Sequence, residues 1–496
     1  MTNKTGCIQA RTVLWYLVFT GFAINYLLRV NLNIAIVSMV KPKNKTNLSL
    51  KSYNDSIVDT GFEWSEYEQS LVLGAFFWLH WLTQIPGGIL ANKYGTKLVY
   101  GIGNFLGVLL SVFVPLAASM SFKWLIFIRI LQGFIAGACW PAMHSMTARW
   151  IPPNERSKFV TAYLGSSVGA GLTFPMCGFI MDMWGWEYVF YVTGILGTLW
   201  YAGWYFLVFD SPSQHPRISD EEKTFILDSL GASVAKEKAP APWRAILTST
   251  PMWINVFTQF GGLWGLFIVL THAPVYLKFI HGLTITSTGF FVGLPHFLRM
   301  LFAYIFSRIG DYLLDTDRVS RTNLRKIATA VSSIGQGCCM IALAQSGSNS
   351  IAAVVFMTSA TSLNGAVSTG SLPNLVDLSP NYASVLLGFA NGSGAVGGMI
   401  SSFIVGFLTN HNQIAEQWQK VFWITAIILL VSGTSFLFFG TSDLQWWNDP
   451  LSKQETALNE SELETLKKEN DAKECSNNNE KKDEVKTDDK SVIEVA

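Results

Sequence analysis

Three arginines sit inside long apolar stretches of this sequence, where a permanent positive charge has to be answered by something. Arg29 lies deep in the stretch 12–40, Arg129 about two turns into 122–147, and Arg299 near the middle of 285–309. No Asp or Glu occupies the interior of any such stretch; Asp182, Glu187, Asp311 and Asp377 all fall at stretch ends. A charged side chain near the centre of a bilayer costs at least ~2.5–3.5 kcal/mol on insertion scales, so each arginine invites a functional explanation. With no internal carboxylate, the missing negative charge must come from a ligand, from water or from backbone carbonyls. Guanidinium suits an anionic ligand, because its planar fork gives two parallel hydrogen bonds to a carboxylate or phosphate and keeps its charge. An anionic substrate is the simplest reading. Bonding to helix carbonyls is the structural alternative, with snorkelling a further one for Arg299.

His80, in 68–91, carries an imidazole that titrates near neutral pH and is a candidate ligand or coupling group. His272 and His296 are weaker candidates, and His144, in Pro141-Ala142-Met143-His144, reads as gate packing. Enzymatic chemistry has no comparable set. An intramembrane aspartyl protease needs two carboxylates within the bilayer and a zinc site needs clustered ligands, so no catalytic residue, metal site or enzyme activity is expected. The six cysteines are scattered over apolar segments and the two ends, which implies no disulfide framework.

The elements that must position these side chains are helices across a membrane. Half of the 496 residues are hydrophobic, 14% are charged and the mean hydropathy is +0.31, so the charges crowd into short breaks between apolar runs. A crossing helix needs roughly 20 apolar residues. Twelve stretches qualify: 12–40, 68–91, 98–119, 122–147, 159–182, 187–209, 252–277, 285–309, 327–346, 351–376, 381–409 and 417–440. The expected protein is therefore an all-α membrane protein with twelve transmembrane helices in two six-helix halves. Its parts are a terminus 1–11, a first half 12–209 with a loop 41–67, a linker 210–251, a second half 252–440 and a tail 441–496. The first stretch is too long for a signal peptide and lacks a cleavage site. In the linker, Ser219 and Glu222 form a capping box ahead of Phe225, Ile226 and Leu230 on one helical face, which predicts an amphipathic helix. The tail is polar, has no aromatic residue past Trp447 and is expected to be disordered.

Short-loop charge sets the orientation. One set of breaks carries Lys93, Lys97, Arg149, Arg156, Lys158, Arg308, Arg318, Arg321, Arg325 and Lys326, and the alternate set little beyond Lys123, Lys278 and Lys420, which places both termini in the cytoplasm. Sequons at Asn44, Asn47 and Asn54 fit a glycosylated, non-cytoplasmic first loop, although that loop also holds Lys41, Lys43, Lys45 and Lys51. Gly165, Gly169 and Gly171, and Gly388, Gly392, Gly394, Gly397 and Gly398, permit close helix approach.

Gly88 to Lys97 resembles the loop between spans two and three of major facilitator transporters, G-x-x-x-D-R-x-G-R-R, with Asn92 in place of the usual Asp and Gly95 and Lys97 in register. Span eight ends on a related Arg308-Ile309-Gly310-Asp311, and these loop positions are expected to serve gating. More specific are Asn25-Tyr26-Leu27-Leu28-Arg29-Val30-Asn31-Leu32, Thr83-Gln84-Ile85-Pro86-Gly87-Gly88, Arg129-Ile130-Leu131-Gln132-Gly133, Ile151-Pro152-Pro153-Asn154-Glu155-Arg156-Ser157 and Asp377-Leu378-Ser379-Pro380-Asn381-Tyr382-Ala383. Together they resemble the solute carrier 17 family of anion transporters, which includes vesicular glutamate transporters, the lysosomal sialic acid carrier and sodium-phosphate cotransporters. The resemblance implies the major facilitator fold, an organic or inorganic anion as substrate, and a cavity lined by Tyr26, Arg29, Arg129 and Asn391, with His80 where relatives commonly carry a tyrosine.

Departures from the family pattern narrow the expectation. Proton-coupled relatives carry a glutamate seven residues after the span-four arginine, where this chain has Ala136. Vesicular glutamate relatives carry an arginine where it has Gly262 and a histidine where it has Leu73, which argues against a glutamate transporter. The expectation is a monomeric secondary transporter, driven by sodium or by potential, with no cofactor beyond Na+ as a coupling ion, no nucleic-acid partner and only lipid around it. A proton-coupled acidic-sugar or vesicular or lysosomal anion carrier and a transporter-like anion sensor are the alternatives. The plasma membrane is favoured, since no dileucine signal stands out in 1–11 or the tail.

Overall fold

Residues 9–41, 61–152, 155, 159, 161–235 and 241–448 are described by a computed structural model. The chain divides into two units, Met1–Asp443 and Leu444–Ala496. Every span lies in the first unit; of the second, the described part is a short turn at Trp446–Asn448. The sequons Asn44, Asn47 and Asn54, most of the tail, and Arg156 and Lys158 fall outside the described residues.

Helices occupy all twelve expected stretches and no strand forms among the described residues. Span one is Ala10–Met39; span two is Glu66–Trp78 and Gln84–Tyr94, joined by a 3-10 turn at Trp81–Thr83; span three is Thr96–Val112 with Val114–Met120. Spans four to six are Phe122–Thr147, Thr161–Trp184 and Trp186–Leu207, and seven and eight are Thr250–Phe279 and Ile285–Asp315. Spans nine to twelve are Arg321–Gln345, Ser350–Leu378, Ala383–Thr409 and Ala415–Phe439. Among the described residues nine helices are long and apolar enough to cross a membrane, ten if the pair bent by 45° in span three is one crossing. Span two misses that test because it is broken. Pro86 lacks an N–H and its ring crowds the carbonyl four residues back, at Leu82, so the helix tightens there instead of running through. Span six is rich in Trp and Tyr, which count little in hydropathy.

Two boundaries differ from the sequence reading. The break expected at 310–326 shrinks to 316–320, because Ser320 caps a helix Arg321–Thr329 by accepting from the Asn323 N–H at 3.3 Å. Apolar windows locate the membrane, whereas a polar helix can run on beyond it. In the linker helix Asp220–Ala235, Ser219 accepts from the Glu222 N–H at 3.2 Å, so half the capping box forms. The Glu222 carboxylate turns instead to span one, accepting from the Ala10 and Arg11 N–H groups at 2.9 and 3.1 Å and from Arg11 Nε at 3.0 Å. Arg11 also pairs with Glu155. Ile226 is buried as expected, but Phe225 is exposed, with the Arg11 guanidinium over its ring.

Burial is uneven along the two spans that begin each half. Residues 27–37 of span one and 264–277 of span seven are buried on every face, while nearer the linker only Leu14 and Val18 of residues 11–20 are. The bundle is thus packed shut at the end where spans one and seven finish. Asn33 Nδ2 donates to the Leu270 carbonyl there at 3.1 Å, and the Glu66 carboxylate accepts from the His411 N–H at 3.0 Å, each joining one half to the other.

Candidate functional site

Arg29 lies where span one becomes buried all round, and is itself 6% exposed. Its guanidinium sits over the rings of Tyr26, Phe76, Phe77 and Phe267 at 5.4, 5.1, 4.7 and 4.5 Å. Span two supplies two of these rings and span seven a third, so the cage draws on both halves. Each desolvated ring contact is worth up to about 2 kcal/mol, but a ring face offers N–H groups no lone pair. Nε and Nη2 of Arg29 accordingly have no hydrogen-bond partner among the described residues.

Arg129 reaches the same place from span four and shares the Phe76 ring, at 5.0 Å. Its Nη2 donates to the Arg29 carbonyl at 3.1 Å, and Nη1 to Gln132 Oε1 at 3.1 Å and the Leu28 carbonyl at 3.5 Å, while Nε is unpartnered. Arg129 therefore braces span four against span one as well as facing the cage. Two cations against one ring, with no carboxylate paired to either among the described residues, make a site whose charge demand is anionic.

This convergence depends on glycine. Span four crosses span two so closely that a Cβ at Gly133 would stand 1.7 Å from the Phe76 carbonyl oxygen, and one at Gly137 2.1 Å from Thr83 Oγ1. Gly133-x-x-x-Gly137 is a small-residue pair on one helix face, a signal the sequence analysis passed over. His80 sits at the break in span two. Its Nδ1 bonds the Gly133 carbonyl at 3.0 Å and its Nε2 meets Gln84 Nε2 at 3.1 Å, so one neutral tautomer, with the proton on Nδ1, satisfies both. The structure thus places His80 in the span two–span four contact with both nitrogens engaged. Beside Ala136 lies a void with room for about one water, bordered by Asn25, Asn104 and Gln132.

The remaining candidates are dispersed. Tyr26 is part of the cage. Asn391 is half-buried on span eleven and makes no hydrogen bond among the described residues. Arg299 is half-buried and donates from Nε to Asn364 Oδ1 at 2.9 Å and from Nη1 to Ser167 Oγ at 3.0 Å, which ties span eight to span ten and, across the halves, to span five. One turn earlier His296 is buried against Phe174, its Nε2 without a hydrogen-bond partner among the described residues. His272 bonds Ser402 at 3.2 Å, and His144 lies 3.5 Å from the Tyr163 hydroxyl.

At the linker end, Gly95 has φ +93° and a Cβ there would meet Asp210 at 2.3 Å. Asp210 accepts from the Lys97 N–H at 2.8 Å, and the Lys97 ammonium covers the rings of Phe209 and Tyr205. Asn92 lies on the helix Gln84–Tyr94, its side chain outside the described parts. Asp311 is exposed and makes no ion pair among the described residues; the carboxylate that holds the second half's basic cluster is Asp377, with Arg325 at 2.7 Å and Arg321 at 3.9 Å. The sequence marks Asp377 as a stretch-end carboxylate in a family motif but gives neither it nor Asp210 a partner, because each acts across more than 50 residues of chain. No group of three or more His, Cys, Asp or Glu that could hold a metal ion occurs among the described residues.

Comparison with known proteins identifies the family and the fold. Residues 18–401 match the family described as Major Facilitator Superfamily. The chain is 36% identical to human Sialin over 89% of its own length and 91% of that protein, and 33% identical to the Danio rerio Vesicular glutamate transporter 3 over 90% and 76%. Among solved structures, a bacterial homologue of the human lysosomal transporter Spinster, inward-facing and unoccupied, superposes with a TM-score of 0.62 at 16% identity, covering 87% of this chain and 97% of that one.

Proposed function

Because this chain belongs to the Major Facilitator Superfamily and, within it, to the solute carrier 17 family, we propose that it carries a small organic or inorganic anion by alternating access, driven by a sodium gradient or by membrane potential. The observation that carries the reading is the buried Arg29 guanidinium, caged by aromatic rings from both halves and left with two unpartnered nitrogens. A carboxylate or phosphate bonded to that fork would supply both the acceptors and the charge the cage lacks. An anion held where both halves contribute can be passed from one side to the other as the halves rock, since neither half encloses it alone. Ala136 supports sodium or potential over protons, because the position offers no group to protonate.

The test is a panel of labelled phosphate, urate, sialic acid and dicarboxylates offered to liposomes holding the full chain, with and without sodium and with potential imposed. At least one anion is expected to accumulate under sodium or potential, and none under a pH gradient with potential clamped. Accumulation under that gradient alone overturns the coupling. The favoured membrane is the plasma membrane, with both termini cytoplasmic. A proton-driven cycle is the second reading; its candidate group is His296, whose Nε2 is free, whereas both nitrogens of His80 are engaged.

A further inference from the structure

Away from the arginine cage, a groove of about 490 Å³ runs between the linker-end portions of spans nine and twelve. Arg318 lines it from the turn before span nine, Asn323 and Lys326 from the start of that span, Ile327 and Val331 further along it, and Leu437 from the last turn of span twelve. Four arginines and lysines crowd this corner, but they are not equivalent. Arg325 and Arg321 are answered by Asp377, and Arg325 also donates to the Thr369 carbonyl at 2.7 Å. Arg318 and Lys326, the two that face the groove, have no carboxylate within ion-pair distance among the described residues, and Asp315 and Asp317 lie just before the groove without lining it. The wall is irregular where Ala330–Gly335 winds as a π-helix, a widened turn that recurs at functional sites. The spans touch there, since a Cβ at Gly433 would lie 2.8 Å from Ser333 Cβ, and Leu437, one turn on, borders the groove.

Two cations without a carboxylate partner among the described residues, one of them, Arg318, over the Tyr312 ring at 5.9 Å, next to an apolar wall at a helix end suit an amphiphile. A free inorganic anion would have no use for Ile327, Val331 and Leu437, and a zwitterionic lipid brings one anionic group, its phosphate, to two cations. The geometry points to an anionic phospholipid seated between spans nine and twelve, its phosphate and head group against Arg318 and Lys326 and an acyl chain along Val331 and Leu437. The site is separate from the proposed substrate path, so its test reads lipid and not transport.

The full chain, purified in detergent, is offered equal phosphatidylserine and phosphatidylcholine of the same acyl composition, and retained lipid is counted by native mass spectrometry. The intact protein is expected to keep phosphatidylserine selectively. Arg318→Ala with Lys326→Ala should weaken that retention roughly 30-fold, while Arg318→Lys with Lys326→Arg, which preserves both charges, should keep it. Equal retention of the two lipids by the unaltered protein, or undiminished selectivity in the double alanine variant, overturns the inference. Displacement by soluble glycerophosphoserine at equal concentration overturns it too, because the apolar wall would then contribute nothing. The charge-preserving variant separates loss of a site from loss of the fold.

Discussion

Burying a guanidinium costs several kcal/mol after relaxation; the rings around Arg29 offset that in charge, but they leave Nε and Nη2 without hydrogen-bond acceptors among the described residues. In the proposed function an anion would supply the missing acceptors. Arg29→Ala is expected to lower initial anion uptake by about 30-fold or more, equivalent to the 2–5 kcal/mol of a lost buried charge pair, with little change in thermal stability. Uptake at the unaltered rate, measured in the same liposomes, would remove Arg29 from the site. Arg129 differs because two of its nitrogens serve the fold. Arg129→Ala removes the bonds from span four to the Leu28 and Arg29 carbonyls of span one, so it should lose stability by about 1–3 kcal/mol in addition to uptake. A melting temperature unchanged by that substitution would show the brace to be idle.

Spans two and four form the element pair that builds the cage. The break below Trp78 and the bare face at Gly133 bring the two helices together, and the contact sets Phe76 between the two guanidiniums. Gly133→Ala puts a methyl group within 1.7 Å of a backbone oxygen, which no rotamer can avoid. The spans must part, and loss of monodisperse protein or a drop in stability of about 1–3 kcal/mol is expected, judged by size-exclusion profile and melting curve. Normal stability with normal uptake would mean that the contact yields at little cost and that the cage does not depend on it. Span nine gives the converse lesson, since its polar first turns, capped by Ser320, belong to the helix although hydropathy assigns them to a loop.

The whole molecule is fastened at the end opposite the linker by Asn33–Leu270 and Glu66–His411, and further in by Arg299–Ser167. These bonds join halves that alternating access must separate, so they weight one state of the cycle. Removing the Glu66 carboxylate deletes a charge-assisted bond of about 1.5 kcal/mol, near a tenfold shift in population. Glu66→Ala is expected to speed maleimide labelling of a cysteine placed at Gln69, beside the same seam, by about that factor; unchanged labelling would show the strut to be dispensable. Orientation has its own check. Deglycosylation should shift the protein's mobility until Asn44, Asn47 and Asn54 are all changed to Gln, and a shift that survives the triple change would place the first loop elsewhere.

Hydropathy and charge in the sequence alone determined twelve spans in two halves, their order, and three arginines without internal carboxylates, because the cost of exposing polar groups to lipid is read residue by residue along the chain. Tertiary structure decided what those arginines touch. Arg29, Arg129 and Arg299 look alike in sequence, yet one is caged and unsatisfied, one is caged and bracing, and one is bonded to Asn364 and Ser167. His80 looks free to titrate until Gly133 and Gln84 take up both its nitrogens. Partners such as Phe267 for Arg29, Asp210 for Lys97 and Asp377 for Arg325 come from distant helices. Hydrogen bonds and ring contacts are settled by which helix faces meet, and that follows from the packing of small residues such as Gly133, which no local pattern of charge or hydropathy encodes.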